Sequence, residues 1–195
     1  LTRITAAADK MQVLLADLLE LSRVGRIVNP VEDASFADLV KEAAELVQGQ
    51  LSARGVEVAV DADLPTVRVD RRRMVEVLQN LLENASKFTV PGRPPRVEVG
   101  FVKDPRRVFF VRDNGQGIDP LYCERIFNIF EKLDPRAEGS GVGLSLVLRI
   151  VEAHGGRVWA ESPGIGEGAT FFFTLGPECW GEEPPWPERG RASNV

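Results

Sequence analysis

The chain has 195 residues, of which 44% are hydrophobic and 27% charged, a balance typical of soluble globular proteins. Its net charge of −5 at pH 7 argues against a general affinity for nucleic acid or for anionic membrane surfaces. No apolar stretch approaches the roughly 20 residues of a membrane span, and charged residues interrupt the first apolar pattern, which excludes a signal peptide there. The length allows one ordinary domain plus an appended element. Because the sequence begins at Leu1 rather than Met, we expect a fragment of a longer protein.

The first predicted element is a helix from residue 1 to about residue 24. Its apolar residues recur every three or four positions, in a stripe wider than a two-stranded coiled-coil seam: Ile4, Ala7, Met11, Leu14, Leu15, Leu18, Leu19 and Leu21. One helix cannot bury such a stripe alone, so it needs the rest of the chain, a missing helix or a second copy as partner. Glycine and proline in residues 25–30 end the helix.

Helices and strands then alternate. A capping-box-like start at 35–38 begins an amphipathic helix whose apolar pattern continues to Leu51, and Asp70 caps another that runs to about Phe88. A later helix covers about 144–153 and stops at two glycines. Alternating apolar residues predict strands at 56–60, 67–69, 97–102, 108–111, 158–160 and 170–175. This order predicts an α/β (α+β) two-layer sandwich, in which a mixed sheet of about five strands packs on about three helices.

Three further features are interpreted as structural. The basic run at 71–73 is too short for nucleic-acid binding and suits a solvated helix start. Cys123 and Cys179 lie far apart, which fits neither a zinc site nor a dense disulfide framework, so we expect two free thiols. From residue 176 onward Pro and Glu dominate, and this composition predicts a flexible tail.

The helix after Asp70 carries an unusual polar face. Glu76, Asn80, Asn84 and Lys87 recur three or four residues apart, on a different side from the apolar stripe. Asparagine is a poor helix former, so a pair on one face needs a reason. Carboxamide oxygens can ligate Mg²⁺ and a lysine ammonium can contact phosphate, although an ordinary exposed face would show the same pattern.

Two glycine-rich segments follow. Asp113 ends an apolar strand, where its carboxylate can accept a hydrogen bond from an exocyclic amine while the next glycines let backbone approach a flat ring. A common Asp-Asn-Gly turn is the alternative. The segment 139–144 opens a helix whose N-terminal amides can bind anions. It has neither the spacing of the dinucleotide fingerprint nor the lysine of a P-loop.

The order and separation of these three motifs are more specific than any one of them. Together they resemble the ATP-binding catalytic domains of sensor histidine kinases, in the superfamily shared with gyrase-type ATPases. The matching segments are the asparagine box at 80–88, the first glycine box at 113–118, the phenylalanine box at 127–130, the second glycine box at 139–144 and the last-strand motif at 168–171. The resemblance covers essentially residues 1–175, and the short lid and residues 154–162 look most like phytochrome-type kinases.

The resemblance implies a set of site residues. Asn84 would be the side-chain ligand of Mg²⁺, with Asn80 near the phosphates and Lys87 on phosphate oxygens. Asp113 would recognise the adenine amino group, supported by Thr170 through water. The other implied contacts are Phe88, Gly115, Gly117 and Ile118 around the base, Ser140, Gly141, Val142, Gly143 and Leu144 around the triphosphate, Phe130 of the phenylalanine box as a further nucleotide-binding residue, and Lys132 and Arg136 as candidate catalytic groups of a mobile lid at about 131–138. Two of these positions depart from the family's pattern: Lys132 stands where relatives more often have arginine, and Ser140 replaces a threonine.

The first helix resembles the second helix of the family's dimerisation hairpin, whose first helix carries the phosphorylated histidine and would precede Leu1. His154 is the only histidine, and the family does not phosphorylate the histidine at its place, so we expect it to cap a helix C-terminus. The expected units are therefore the truncated hairpin helix at 1–28, the ATP-binding catalytic domain at 31–176 and the tail at 177–195.

The implied function is the binding of Mg-ATP and transfer of its γ-phosphate to a histidine on the missing helix, for relay to a response-regulator aspartate. The fragment alone should not autophosphorylate, because it lacks that histidine. The expected partners are ATP, the missing helix, a receiver domain and, in the full-length parent, a second copy, with no nucleic acid and no direct membrane contact. We expect a cytoplasmic location, whether or not the parent protein is membrane-anchored.

Two other functions compete with this one. Gyrase- and chaperone-type ATPases place a glutamate general base where this chain has Asn80, which cannot take a proton. Asn80 therefore favours a histidine kinase. A non-catalytic dimerisation or nucleotide-sensing module is the other alternative, and the undegraded glycine boxes argue against it.

Overall fold

The computed structural model describes Leu19 and residues 29–103, 107–132 and 140–180. Of the predicted first helix, Leu19 alone is described, as a helical and exposed residue, so this helix and its pairing otherwise lie outside the described residues. In the described ranges no helix is both long and apolar enough to cross a bilayer.

The helices and strands alternate along the chain, with three short 3₁₀ turns between or after them. The helices are α1 (Phe36–Leu46), α2 (Gln48–Arg54), α3 (Arg71–Lys87) and α4 (Gly143–Ala153). The strands are β1 (Glu32–Ser35), β2 (Glu57–Val60), β3 (Thr66–Val69), β4 (Arg96–Val102), β5 (Val108–Asp113), β6 (Val158–Glu161) and β7 (Ala169–Phe173). The 3₁₀ turns are Pro120–Tyr122, Arg125–Phe127 and Pro177–Cys179.

Five strands form one mixed sheet in the order β2-β4-β5-β7-β6. The β2–β4 pair is parallel and the other three pairs are antiparallel. Strands β1 and β3 form a separate two-stranded antiparallel ladder. The predicted sandwich with a five-stranded mixed sheet is confirmed.

One face of the sheet packs on the helices. Strand alternation directs every second residue of β5 and β7 into this layer, where Phe109 and Phe173 are fully buried and their rings lie 5.2 Å apart. Phe36, the first residue of α1, stacks on Phe109 with ring centroids 4.0 Å apart. Helix α3 lies between α1 and α4 and contributes the largest run of buried apolar residues: Met74, Val75, Val77, Leu78, Leu81, Leu82 and Ala85.

A buried polar network joins the start of α3 to the end of α4. The Asp70 side chain accepts from the Arg73 amide, as predicted for an N-cap, and from the Asn29 side chain at 2.9 Å. The Asp70 amide donates to His154 Nε2 at 3.1 Å, while His154 Nδ1 lies 2.8 Å from the Ile150 carbonyl oxygen. With Nε2 as acceptor, Nδ1 carries the proton. His154 is the C-cap of α4, so the predicted capping position is confirmed.

Four local expectations need correction. Strand β1 was not predicted, because only Ala34 of its four residues is buried and no apolar alternation marks it. The helix expected from 35 to 51 breaks at Val47 (φ −105°, ψ 9°) into α1 and α2. Ser35 occupies the N-cap of α1, yet its side chain makes no capping hydrogen bond, so the capping box is not formed.

The fourth correction concerns the tail. Residues 177–180 form a turn that packs on the domain, with Cys179 2% and Trp180 9% exposed. The Trp180 ring stacks on Phe109 with ring centroids 5.8 Å apart. The Pro- and Glu-rich composition of this segment does not predict such an apolar contact. Residues 181–195 lie outside the described part. Cys123 and Cys179 are free thiols, as predicted.

Candidate functional site

A cavity of about 850 Å³ opens between α2, α3, the start of α4 and the strands β5 and β7. The predicted site residues that line it are Asn80, Asn84, Lys87, Phe88, Asp113, Gly117, Ile118, Lys132, Ser140, Gly141, Gly143 and Leu144. We call the part around Asp113, Gly117 and Ile118 the base end, and the part around Asn80, Asn84 and Gly143 the phosphate end. Sequence motifs that lie far apart along the chain, from Asn80 to Leu144, therefore meet at one cavity.

Asp113 is the polar group of the base end. It is the last residue of β5, and its Oδ1 accepts from the Gly115 amide at 2.8 Å. Burial raises the pKa of its carboxyl above the ordinary value of 3.8, while hydrogen bonds from the backbone of Gly115 and Ala169 oppose that rise. A half-buried carboxylate held in this way can accept a hydrogen bond from a ligand amine.

The glycines of this loop are required by close contacts. A Cβ on Gly117, whose φ is 69°, would collide with the carbonyl oxygen of Gly164. A Cβ on Gly115 would collide with the carbonyl oxygen of Phe88, the same oxygen that accepts from the Gln116 amide at 2.7 Å. The loop is therefore packed directly against the end of α3 and against the β6–β7 loop.

The phosphate end is formed by side chains of α3 that face the start of α4. Asn80 donates to the Glu76 carbonyl at 2.8 Å, and a Cβ on Gly143 would come within 2.5 Å of Asn80 Oδ1. Asn84 is half-buried on the same wall. Lys87 Nζ lies 4.9 Å from the centroid of the Phe88 ring. Carboxamide oxygens and an ammonium group thus face one space, which suits a metal-bound polyphosphate.

The second glycine segment provides the N-terminus of α4. Gly143 and Leu144, its first two residues, line the cavity, and helix N-terminal amides attract anions. Gly141 has a φ of 81° and lies against the Phe130 backbone, whose amide donates to the Gly141 carbonyl at 3.0 Å. This places an anion-binding helix end opposite the asparagines of α3.

Four predicted site residues do not line the cavity. In β7, strand alternation turns Ala169 and Phe171 toward the cavity and Thr170 to the other face, beside its register partners Arg112 and Glu161. Phe130 has a φ of 63° and a 48% exposed side chain, and its backbone lies against Gly141. Val142 is buried as the N-cap of α4, and Gly115 acts through its amide. Arg136 lies outside the described residues.

Several lining residues were missed by the sequence analysis. Helix α2 contributes Gly49, Gln50, Ala53 and Arg54. Arg54 donates to the carbonyl oxygens of Ser86 and Lys87 at 3.0 and 2.8 Å, which satisfies the C-terminus of α3 just before Phe88. No sequence motif marks these small and polar residues. Ala169 could have been found from the two-residue alternation with Phe171 and Phe173.

Glu76 and Glu83 have different surroundings. Glu76 pairs with Arg73 at 2.7 Å and faces a second groove rather than the cavity. Glu83 lines the cavity and accepts from the Gln79 side chain at 3.0 Å. Of these two glutamates, Glu83 therefore lies at the cavity and Glu76 does not.

Comparisons with known proteins agree with this geometry. Residues 69–178 match the family described as "Histidine kinase-, DNA gyrase B-, and HSP90-like ATPase". The chain is 49% identical over 90% of its length to the methanogenesis regulatory histidine kinase FilI of Methanothrix harundinacea, and 37% identical over 86% to cyanobacterial phytochrome B of Nostoc. It spans 20% and 23% of the lengths of those relatives.

Solved structures show the same likeness. The full-length ShkA structure, determined in complex with AMPPNP, matches with a TM-score of 0.74 and 30% identity, over 95% of this chain and 39% of ShkA. The mycobacterial sensor histidine kinase MprB matches with a TM-score of 0.62 and 26% identity, over 74% of this chain and 96% of that one. The resemblance drawn from the asparagine and glycine boxes is confirmed: the chain belongs to the family of histidine kinase-, DNA gyrase B- and HSP90-like ATPases.

Proposed function

We propose that this chain is the ATP-binding catalytic part of a sensor histidine kinase. The observation that supports it best is the cavity that joins a carboxylate on a glycine loop, two asparagines and a lysine of α3, and the N-terminus of α4. The adenine would enter the base end and donate to Asp113. Its triphosphate would extend toward Asn80, Asn84 and Gly143. Phosphoryl transfer depends mainly on positioning and charge neutralisation, which these groups can provide.

Mg²⁺ fits this site as a metal that arrives with the nucleotide. In the described part of the chain, no group of three His, Cys, Asp or Glu side chains could hold a metal by itself. Mg²⁺ in nucleotide sites needs few protein ligands, because phosphate oxygens and water complete its octahedron. The Asn84 carboxamide, half-buried on the cavity wall, is the ligand that we propose. The ion would neutralise charge on the phosphates.

The phosphate would go to a histidine outside this chain's own fold. His154, the only histidine in the sequence, is 2% exposed, and both of its ring nitrogens are engaged in the network with Asp70 and Ile150. It therefore cannot reach the γ-phosphate. We propose that the acceptor lies on a dimerisation helix that pairs with residues 1–28 in a homodimer, and that a response-regulator receiver domain takes the phosphate in the cytoplasm.

The test is ATP binding by calorimetry, with Mg²⁺ and with EDTA. We expect Mg²⁺ to strengthen binding by the wild-type chain and not by Asn84→Ala, because the carboxamide ligand is gone. Asn128→Ala is the matched control, since the Asn128 side chain is exposed and does not line the cavity. A folded wild-type chain that binds no ATP would contradict the proposal and favour the alternative of a non-catalytic dimerisation module.

The gyrase-type ATPase alternative rests on Glu83, which lines the cavity. If the chain is a kinase part, Glu83→Gln should leave the slow release of phosphate from ATP unchanged, because no glutamate activates water. A loss of hydrolysis by tenfold or more in this variant, with ATP affinity retained, would instead identify Glu83 as a general base.

A further inference from the structure

Ile165 lies at the rim of the cavity, and none of the roles implied by the resemblance includes it. Its side chain is 74% exposed. Single exposed apolar residues are common and by themselves signify little. Among the exposed large apolar residues in the described ranges, however, Ile165 alone lines this cavity. Its position, rather than its exposure, therefore needs an explanation.

The loop that carries Ile165 is fixed to the base end. The Gly166 amide donates to the Gln116 carbonyl at 2.6 Å, and the Gly168 amide donates to the Gly115 carbonyl at 3.1 Å. Ser162 Oγ accepts from the Ile118 amide at 3.0 Å and donates to the Gly168 carbonyl at 2.6 Å. The loop between β6 and β7 is thus hydrogen-bonded along its length to the loop that follows Asp113.

Arg93 adds a further attachment. Its Nη1 donates to the carbonyl oxygens of Asn114 and Gly166, at 2.9 and 2.8 Å. The residues on either side of Ile165 are glycines with positive φ, 146° at Gly164 and 87° at Gly166, so the loop turns sharply on both sides of this one side chain. An isoleucine held in this way needs little ordering to contact a ligand, because its χ1 is already restricted.

We propose that Ile165 is a further specificity-determining residue, whose side chain covers the adenosine end of the bound nucleotide. This inference rests on the proposed function. If Asp113 binds the adenine amino group, the ring lies beside Gly117 and Ile118, and the Gly164 carbonyl is already packed against Gly117. Ile165 directly follows Gly164 and lines the cavity, so its side chain offers a flat ring or the ribose an aliphatic cover.

The experiment measures dissociation constants for ATP, adenosine and inorganic tripolyphosphate by calorimetry, on the full chain. We expect Ile165→Ser to weaken ATP and adenosine by the same factor, about threefold to tenfold, because a fully buried methylene contributes about fourfold and the ligand would cover only part of this exposed side chain. Tripolyphosphate binding should not change. Ile165→Val should stay within about twofold of wild type, since it keeps most of the apolar surface.

The matched control is Leu121→Ser, which removes an apolar side chain that is 81% exposed and away from the cavity. Both serine variants should unfold at the wild-type temperature. Unchanged adenosine and ATP affinity in Ile165→Ser would overturn the inference while leaving the proposed function in place. A loss for tripolyphosphate alone, or a lowered unfolding temperature, would also overturn it. Absence of ATP binding by the wild-type chain would instead refute the proposed function.

Discussion

At the base end of the cavity the walls are loops held to one another by backbone hydrogen bonds, whereas at the phosphate end the facing groups are side chains of α3. Asp113 is fixed by the Gly115 amide, and the loops around it are joined through Ser162 and Arg93. Lys87, by contrast, lies over the Phe88 ring, which is itself expected to contact the base. The base end is therefore preorganised, while at the phosphate end we expect Lys87 to turn from the Phe88 ring toward the phosphates when nucleotide binds.

Of the substitutions that distinguish the base end from the phosphate end, Asp113→Ala should change ligand affinity the most. We expect it to weaken both ATP and adenosine by about 10- to 100-fold, because a hydrogen bond to a charged group contributes about 1.5–3 kcal/mol. Lys87→Met should weaken ATP and leave adenosine unchanged, since its ammonium group meets phosphate. Titrations of both ligands against both variants check this. If Lys87→Met weakens adenosine as much as ATP, the two ends are not separate.

The second prediction compares two glycines with positive φ near the base end. Gly117→Ala should destabilise the fold by about 1–3 kcal/mol and weaken ATP binding, because the added methyl collides with the Gly164 carbonyl and separates the two loops. Gly166→Ala carries a similar backbone strain at φ 87°, but its methyl would enter open space. Thermal unfolding and calorimetry measure both. If both variants lose the same stability and the same ATP affinity, backbone strain rather than the packing of the two loops causes the loss.

Much of the core and of the site could be predicted because it follows local periodicity. The α3 stripe, its Asp70 cap and the polar face with Asn80 and Asn84 are all visible in one 17-residue helix. The glycine segments were recognisable for another local reason: few residues other than glycine adopt a positive φ, as Gly117 and Gly141 do.

What could not be predicted depends on contacts between distant segments. Strand β1 exists because β3 pairs with it, and its own residues carry no strand pattern. Trp180 joins the core because Phe101 and Phe109 offer a stacking surface, although its neighbours are typical of a tail. In β7 one residue decides which face a side chain takes: Ala169 and Phe171 line the cavity, whereas Thr170, to which the resemblance gives a water-mediated role, does not.

The third prediction uses the acidity of the base end. Because burial raises the pKa of Asp113, protonation should weaken ATP binding as pH falls, starting at a higher pH than for an ordinary carboxyl group. Folding stability responds in the opposite sense. The native state holds the Asp113 proton more tightly than the unfolded chain does, so protonation of Asp113 stabilises the fold. This contribution to folding stability is present below the ordinary carboxyl pKa of 3.8 and is lost as pH rises through the raised pKa of the folded state.

Asp113→Asn should remove the Asp113 contribution to both pH dependences, because the carboxamide does not titrate there. Dissociation constants and denaturant midpoints of the two proteins between pH 4 and pH 8 provide the check. A wild-type affinity that follows the Asn variant across this range would show that the Asp113 charge does not contribute to binding.

The smallest effect is expected at the junction of the two ends. Phe88→Tyr should change ATP affinity by no more than about twofold, because the aromatic face toward the base and the ring under Lys87 Nζ are both retained. Phe88→Ala should weaken ATP binding by about threefold to tenfold through lost apolar contact.

The Phe88 carbonyl accepts from the Gln116 amide, and this backbone bond does not depend on the side chain, so both variants should keep the base-end loop in place. Calorimetry with ATP and adenosine distinguishes the cases. A large loss in Phe88→Tyr would mean that the hydroxyl has no room beside the bound base, and hence that the preorganised end of the cavity extends as far as α3.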